Sequence, residues 1–303
     1  MHKLALLSKQ ADEYRRLLEA ASLPDLEIVA APAPDCDLAF GEPVLIRERL
    51  SKLPGLRWAQ STWAGVEPLL DPSLRRDYTL TNARGVFGPL MSEYVFAYLL
   101  LHERRILGRI QSQQECHWDP SETGVLRGKT LGLLGVGSIG CHLAATARHF
   151  GMEVRGFTRA GETCPHVSAY HHNDLPSFAA GLDYLVCTLP GAPGTRRLVD
   201  AALLEALPAH ALFINVGRGS VVDEPALAAA LSSGKIAGAV LDVFEQEPLP
   251  SSHIFWETPN LLLTFHTAAP SFPEDIAGLF IENYQLLLDG KPLRYQVDFE
   301  RGY

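Results

Sequence analysis

Cysteine is scarce in this 303-residue chain and follows no pairing pattern. The five cysteines are odd in number and scattered, with no CxxC pair: Cys36, Cys116, Cys141, Cys164 and Cys187. This usage argues against a disulfide framework and against a zinc site, because both depend on regularly spaced cysteines. We therefore expect reduced thiols in a cytoplasmic protein, and no metal.

Excess positive charge and long apolar runs are also lacking. The chain has 26 Lys and Arg against 35 Asp and Glu, a net charge of −9, which argues against nucleic-acid and anionic membrane partners. The longest dense apolar run, residues 94–101, is too short to cross a bilayer. The N-terminal residues show no signal-peptide pattern.

The remaining composition is that of a globular protein, with 47% hydrophobic and 20% charged residues. Short apolar runs alternate with helical patterns, which predicts parallel sheets with helices on their faces. Strands are expected at residues 4–7, 26–30, 38–40, 56–60, 78–81, 131–134, 154–157, 184–187, 212–215, 239–243 and 261–264. Helices are expected at residues 11–21, 89–113 (one long helix), 138–150, 174–180, 200–206, 223–233 and 273–288.

The order of these elements predicts an α/β protein with two doubly wound parallel-sheet domains. Six strands with helical crossovers in residues 93–269 match a complete Rossmann dinucleotide-binding domain. The segment after residue 267 is too short for a domain of its own. Residues 1–92 and 270–303 are therefore expected to form one discontinuous, flavodoxin-like substrate domain.

A glycine motif, GVGSIG, lies between a predicted strand and a predicted helix, as a dinucleotide site requires. Gly135 would allow the tight turn, Gly137 the close approach of a pyrophosphate, and Gly140 close helix–strand packing. Ser138 and Ile139 would present backbone N–H groups at the helix N-terminus, which stabilises an anion. The alternative is a glycine-rich turn with no ligand.

The residue after the second strand of this unit indicates which dinucleotide is bound. NAD-binding folds usually carry Asp or Glu about 20 residues after the glycines. Here Thr158 and Arg159 stand there, with Arg159 19 residues after Gly140. Arg159 can pair with a 2′-phosphate and Thr158 can add a hydroxyl. We predict NADP(H) as the preferred cofactor, with NAD(H) as the alternative if Arg159 is only a solvated surface side chain.

Three charged or titratable residues follow later predicted strands. Arg218 lies between two glycines, and a planar guanidinium suits a carboxylate with an adjacent carbonyl. Glu247 follows the fifth strand, with Glu245 as its competitor, and His266 follows the sixth. The carboxyl ends of parallel strands share one sheet edge. The set supplies a cation, a proton donor and a carboxylate, which suits the reduction of a 2-keto acid.

The chain resembles the D-isomer-specific 2-hydroxyacid dehydrogenases. GVGSIG, VGRGSVVDEPAL, LDVFEQEPLP and the His266 segment occur in family order, and Arg218 and Glu247 have the family spacing of 29 residues. Within the family the chain is most similar to the bacterial glyoxylate/hydroxypyruvate reductase group. It shares with that group the arginine after strand two, the MSEY helix start, FEQEPLP and the VDFERGY ending.

The resemblance implies reduction of a small 2-keto acid to a D-2-hydroxy acid. Arg218 would polarise the carbonyl, His266 would donate the proton, and Glu247 would hold the imidazolium. The resemblance also implies a homodimer, and a substrate loop at Trp63 whose backbone N–H groups at Ala64, Gly65 and Val66 hold the carboxylate. Further cofactor contacts are expected from Leu189, Pro190, Val216, Gly217 and Asp242.

Two segments depart from the family pattern. Phe265 stands where the family usually has proline before the catalytic histidine, and residues 189–195 vary on the cofactor-edge loop. Two alternatives stay open. One is a reductase of a bulkier 2-keto acid, of the D-lactate or phenylpyruvate type. The other is a cofactor-sensing regulator of the same fold without catalysis.

Overall fold

The structure, a computed structural model, describes residues 1–159 and 164–302. It divides into two units, one comprising Met1–Val86 with the segment from Ser271 onward, the other Phe87–Pro270. The predicted boundary between residues 92 and 93 lies within the helix that opens the second unit.

The first unit is built on a five-stranded parallel sheet in the order β2-β1-β3-β4-β5. This is the flavodoxin-like doubly wound order. Its elements before the second unit are β1 (His2–Leu7), α1 (Ala11–Ala20), β2 (Leu26–Ile28), β3 (Leu38–Gly41), α2 (Pro43–Arg49), β4 (Trp58–Ser61) and β5 (Thr79–Thr81).

The second unit has a seven-stranded parallel sheet in the order β12-β11-β10-β9-β6-β7-β8. Its elements are α3 (Gly88–Glu103), α4 (Ile106–Gln114), β6 (Thr130–Leu134), α5 (Ser138–His149), β7 (Glu153–Phe157), β8 (Ala169–His171), α6 (Leu175–Ala179), β9 (Tyr184–Cys187), α7 (Ala201–Ala206), β10 (Leu212–Asn215), α8 (Glu224–Ser232), β11 (Gly238–Leu241) and β12 (Leu261–Leu263). From β6, the strands β7 and β8 are added on one side of the sheet and the strands from β9 onward on the other, as in the Rossmann fold. Strand β12 is an additional edge strand.

The final helix, α9 (Pro273–Leu288), returns to the first unit. Its apolar residues recur at three- and four-residue spacing, so one face is buried. On that face Phe280 stacks on Trp58, with ring centroids 4.9 Å apart, and on Phe40, at 5.0 Å. The segment after residue 270 therefore contributes to the core of the first unit.

Strands β9, β10 and β11 are buried along their whole length, which is typical of parallel strands covered by helices on both faces. Their carboxyl ends, with those of β6 and β12, lie along one edge of the sheet. Ligand sites in such folds form at this edge. The predicted Arg218, Glu247 and His266 all follow strands that end there.

Three details differ from the sequence-based prediction. The prediction of one continuous helix over residues 89–113 is wrong, because the helix is interrupted at Arg105, which has a φ of +51°. Beyond the break, the guanidinium of Arg109 donates to the carbonyls of Asp119 (2.8 Å) and Ser121 (2.6 Å), which fixes α4 against the following loop. The short elements α2 and β8 were not predicted.

Among the residues that the structure describes, no helix has the length and apolar character needed to cross a membrane. The same residues contain no group of three or more His, Cys, Asp or Glu side chains placed to hold a metal ion.

Candidate active site

The glycine motif forms a tight turn between β6 and α5. Gly135 has a φ of +97°, which favours glycine, and a Cβ on Gly140 would lie only 2.3 Å from the Gly135 carbonyl oxygen. A Cβ on Gly137 would meet nothing within 4 Å, so the turn is open there. Ser138 follows as the first residue of α5. An approachable backbone with helix N-terminal N–H groups fits the pyrophosphate of a dinucleotide.

Thr158 and Arg159 follow β7 at the same sheet edge. Thr158 is fixed to the neighbouring chain, since its N–H donates to the His171 carbonyl (3.1 Å) and its carbonyl accepts from His172 Nδ1 (2.7 Å). Arg159 is exposed, and its Nη1 lies 2.9 Å from the position that a Cβ on Gly194 would take. A cation beside two loops at the strand ends fits a 2′-phosphate group.

The glycines on either side of Arg218 are required by close backbone packing. A Cβ on Gly217 would lie 2.5 Å from the Leu189 carbonyl oxygen, and one on Gly219 would lie 1.8 Å from the Phe244 carbonyl carbon. The loop after β10 is thus pressed against the loops after β9 and β11. This packing holds the half-buried Arg218 at the sheet edge.

Asn215, the last residue of β10, holds the loop that carries Arg218 through its side-chain amide. The sequence analysis did not identify it as a site residue. Its side chain is fully buried. Its Oδ1 accepts from the Gly217 N–H (3.0 Å), and its Nδ2 donates to the Arg218 carbonyl (3.0 Å). The sequence signal for Asn215 is an amide side chain at the end of a strand, directly before a loop that contains glycine.

Glu247 and His266 contact one another directly. Glu247 Oε2 lies 2.7 Å from His266 Nδ1, and its Oε1 accepts from the Phe244 N–H (2.9 Å). Glu245, the alternative partner, instead pairs with Arg196. Because Nδ1 is engaged, Nε2 of the partly exposed imidazole is the nitrogen available to a substrate.

A buried carboxylate holds the loop that carries His266. Asp242 is 1% exposed, and its Oδ1 and Oδ2 accept from the N–H groups of Thr267 (2.9 Å) and Ala268 (3.0 Å). The Asp242 carbonyl accepts from the His266 N–H (2.7 Å), and His266 has a φ of +57°. The loop is therefore fixed by these bonds even though Phe265 replaces the family proline. The predicted nicotinamide contact of Asp242 stays a prediction.

Two hydroxyl groups continue this network, and the sequence analysis singled out neither. Thr264 Oγ1 donates to Asp242 Oδ1 (2.5 Å), and the Tyr94 hydroxyl lies 2.7 Å from Thr264 Oγ1. Burial raises the pKa of Tyr94 above its ordinary value, so the phenol keeps its proton and donates to Thr264. The bonds thus run in one direction toward the Asp242 carboxylate.

In the first unit, the predicted substrate loop follows β4. The Trp63 carbonyl accepts from Ser61 Oγ (2.8 Å), and the Ala64 carbonyl accepts from Asn82 Nδ2 (2.7 Å). Within the described part of the chain, the backbone N–H groups of residues 64–66 find no acceptor. Such adjacent N–H groups can form an anion-binding nest.

The prediction that all the cysteines are reduced is wrong for two of them. Cys141, in the first turn of α5, forms a disulfide with Cys164, and their Cα atoms lie 5.6 Å apart. Cys36 and Cys187 are buried free thiols, and Cys116 is exposed. The two bonded cysteines are 23 residues apart in a pattern that matches no motif, and only the fold brings them together.

Comparison with known proteins identifies the family. The family model described as "D-isomer specific 2-hydroxyacid dehydrogenase, NAD binding domain" matches residues 96–268. The chain belongs to this family. It is accordingly an oxidoreductase that uses a nicotinamide dinucleotide and acts on small 2-hydroxy or 2-keto acids, and the predicted fold class and enzyme class are confirmed.

Individual members of the D-2-hydroxyacid dehydrogenase family are similar over nearly the whole chain. A glyoxylate/hydroxypyruvate reductase A from Yersinia enterocolitica is 34% identical over 269 residues, 85% of each chain. A family member from Aeromonas salmonicida is 42% identical, with a TM-score of 0.91 over 98% of this chain and 99% of that one. A member from Xanthobacter autotrophicus Py2, solved with NADPH and MES, is 33% identical, with a TM-score of 0.89 over 100% and 99%.

Proposed function

We propose that this enzyme reduces a small 2-keto acid of the glyoxylate or hydroxypyruvate type to the D-2-hydroxy acid, with NADPH as the preferred cofactor. The observation that carries the proposal is the 2.7 Å contact between Glu247 and His266 at the strand edge that also presents Arg218. The named activity of the Yersinia relative and the NADPH bound to the Xanthobacter relative support it.

Each of the three residues has a distinct role in this proposal. His266, protonated, donates a proton from Nε2 to the carbonyl oxygen of the substrate as that oxygen becomes a hydroxyl. Glu247 orients the ring through Nδ1 and stabilises its positive charge. Arg218 polarises the carbonyl and pairs with the substrate carboxylate. When bound, the nicotinamide cofactor supplies the hydride.

The remaining predicted residues divide into cofactor and substrate contacts. The turn formed by Gly135, Gly137, Ser138, Ile139 and Gly140 would hold the pyrophosphate. Thr158 and Arg159 would hold the 2′-phosphate, and Leu189, Pro190, Val216, Gly217 and Asp242 would contact the rest of the cofactor. The N–H groups of residues 64–66 would bind the substrate carboxylate, which their lack of an acceptor in the described chain supports.

Initial rates with a matched panel test the proposal. NADPH and NADH are each paired with glyoxylate, hydroxypyruvate, pyruvate and phenylpyruvate, and nicotinamide oxidation is followed by absorbance. We expect turnover of glyoxylate and hydroxypyruvate, with kcat/KM for NADPH at least about tenfold above that for NADH, the contribution of one charge-assisted contact. Turnover of phenylpyruvate alone would contradict the substrate class. Tight cofactor binding without turnover of any acid would favour a regulator.

A further inference from the structure

The disulfide joins the two segments to which the proposed function assigns the cofactor. Cys141 directly follows Gly140, and its N–H donates to the Gly137 carbonyl (2.8 Å) in the first turn of α5. Cys164 lies five residues after Arg159 in the sequence. The bond therefore connects the chain on the C-terminal side of Thr158 and Arg159 to the helix that follows the glycine turn.

A second set of contacts connects Cys164 to Thr158. The Cys164 N–H donates to the Tyr170 hydroxyl (2.6 Å), which in turn donates to the Cys164 carbonyl (3.3 Å). The Tyr170 ring lies parallel to that of His172, with centroids 6.5 Å apart. His172 Nδ1 donates to the Thr158 carbonyl (2.7 Å). The position of Cys164 is thus coupled through described side chains to a residue of the proposed 2′-phosphate site.

We propose that Cys141 and Cys164 form a redox-modification site that sets the affinity for NADPH relative to NADH. The disulfide ties Cys164, and through Tyr170 and His172 the Thr158 carbonyl, to the first turn of α5, and reduction removes this covalent tie. The inference rests on the proposed function, because it takes Thr158 and Arg159 as the contacts of the 2′-phosphate.

The chemistry is a thiol–disulfide exchange. Two equivalents of a small thiol reduce the bond. The first thiolate attacks the partly exposed Cys141 sulfur, forming a mixed disulfide and releasing the Cys164 thiolate, which takes up a proton. The second attacks the mixed disulfide, releases Cys141 as a thiol and leaves as the small-molecule disulfide. Oxidation is the reverse, with a small-molecule disulfide as the oxidant.

The direction of the effect follows from preorganisation. Binding residues that are already held in position lose less conformational entropy when the ligand binds, so the oxidised protein, in which Thr158 is tied to α5, binds NADPH more tightly. Ordering one or two side chains before the ligand binds raises the affinity roughly two- to tenfold. NADH lacks the 2′-phosphate, so its affinity should change little. By reciprocity, saturating NADPH should favour the disulfide over the dithiol by the same factor.

The test compares oxidised and reduced full-length protein. A thiol reagent in denaturant should count three thiols in protein treated with a small-molecule disulfide and five after dithiothreitol. NADPH and NADH dissociation constants are then measured by nicotinamide fluorescence in both states. Cys141→Ser and Cys164→Ser should behave like reduced protein whatever the treatment. Cys116→Ser, at an exposed free cysteine, is the matched control and should respond like the unmodified chain.

The outcomes separate this inference from the proposed function. A redox-dependent NADPH constant with an unchanged NADH constant, and a matching shift of the disulfide equilibrium under NADPH, would support it. Five thiols in the oxidised sample, or equal NADPH constants in both states, would overturn it while leaving the proposed function intact. An equal change for both nucleotides would refute the specificity role. Failure of both states to bind either nucleotide would overturn the proposed function and this inference together.

Discussion

At the scale of single residues, the proposed preference for NADPH rests on Arg159. It is exposed at the end of β7, beside Gly194, and the sequence offers no carboxylate in its place. We expect Arg159→Ala to raise the NADPH dissociation constant roughly 10- to 100-fold, the value of a hydrogen bond to a charged group, and to leave NADH binding unchanged. Arg148→Ala, a surface arginine of the same unit that pairs with Glu153, is the control. Equal effects on both nucleotides would refute the assignment.

In the proposed chemistry, Glu247 orients His266 through the contact with Nδ1. Glu247→Gln keeps a hydrogen-bonding side chain but removes the negative charge beside Nδ1. The proposed proton donor then loses the charged partner that orients its ring, so we expect kcat for reduction to fall roughly 10- to 100-fold. Steady-state kinetics with glyoxylate measure the effect. Glu245→Gln should leave kcat unchanged, and a normal kcat for Glu247→Gln would argue against this pairing.

The sequence could predict these residues because strand order and local spacing determine where they lie. Spacing favoured Glu247 over Glu245, and the structure places Glu247 against His266. The same reasoning could not find Asn215, Thr264 or Tyr94. Their importance comes from hydrogen bonds between chain segments far apart in sequence, such as the 170-residue separation of Tyr94 and Thr264.

At the scale of elements, the loop after β12 depends on a buried network. The hydroxyl of Thr264 donates to Asp242, whose carboxylate also accepts the N–H groups of Thr267 and Ala268. Removing that hydroxyl leaves a buried charge with one donor fewer, which costs about 1.5–3 kcal/mol. The same carboxylate accepts from the two residues that follow His266, so it fixes the loop that carries the imidazole.

We therefore expect Thr264→Val to lower the free energy of unfolding by about 1.5–3 kcal/mol and to lower kcat more than it changes KM for the keto acid. Thr264→Ser should restore both quantities, because it keeps the donor. Thr258→Val also removes a hydroxyl, one that donates to the Ile254 carbonyl, and is the matched control for the unfolding measurement. It should leave kcat unchanged. Denaturant unfolding and steady-state kinetics provide the measurements, and a Thr264→Val enzyme with normal kcat would show that the network does not position His266.

Some elements were not predictable because their local sequence signals are weak. The strand β8 has three residues, none of them fully buried, so it lacks a strong apolar run. The break between α3 and α4 falls at Arg105, without proline or glycine, in a sequence whose helical pattern continues on both sides. The bonds from Arg109 to the 119–121 loop, which no local pattern shows, accompany that break.

At the scale of the whole molecule, the fold class was predictable because apolar strands and helical crossovers alternate along nearly the whole chain. The return of the final helix to the first unit followed from the short length left after residue 267. The disulfide was not predictable, since only the fold brings Cys141, in α5, next to Cys164, which precedes β8.

The family resemblance also predicts a homodimer. Light scattering coupled to size-exclusion chromatography should give twice the chain mass of 33.2 kDa at micromolar concentration. A mass of one chain that persists as concentration rises would contradict the predicted dimer, and it would leave the proposed chemistry unaffected because Arg218, Glu247 and His266 all lie in one unit of a single chain.

The most direct test of the proposed chemistry is the pH dependence of NADPH oxidation with glyoxylate, measured for the unmodified enzyme and for His266→Ala. Reduction needs the protonated imidazole, so the unmodified rate should fall on the alkaline side, and His266→Ala should lose roughly 10²–10⁴-fold in kcat together with that limb. His210→Ala, an exposed histidine that pairs with Asp183, is the control and should behave normally. A His266→Ala enzyme with unchanged turnover and pH profile would contradict the proposed role of His266.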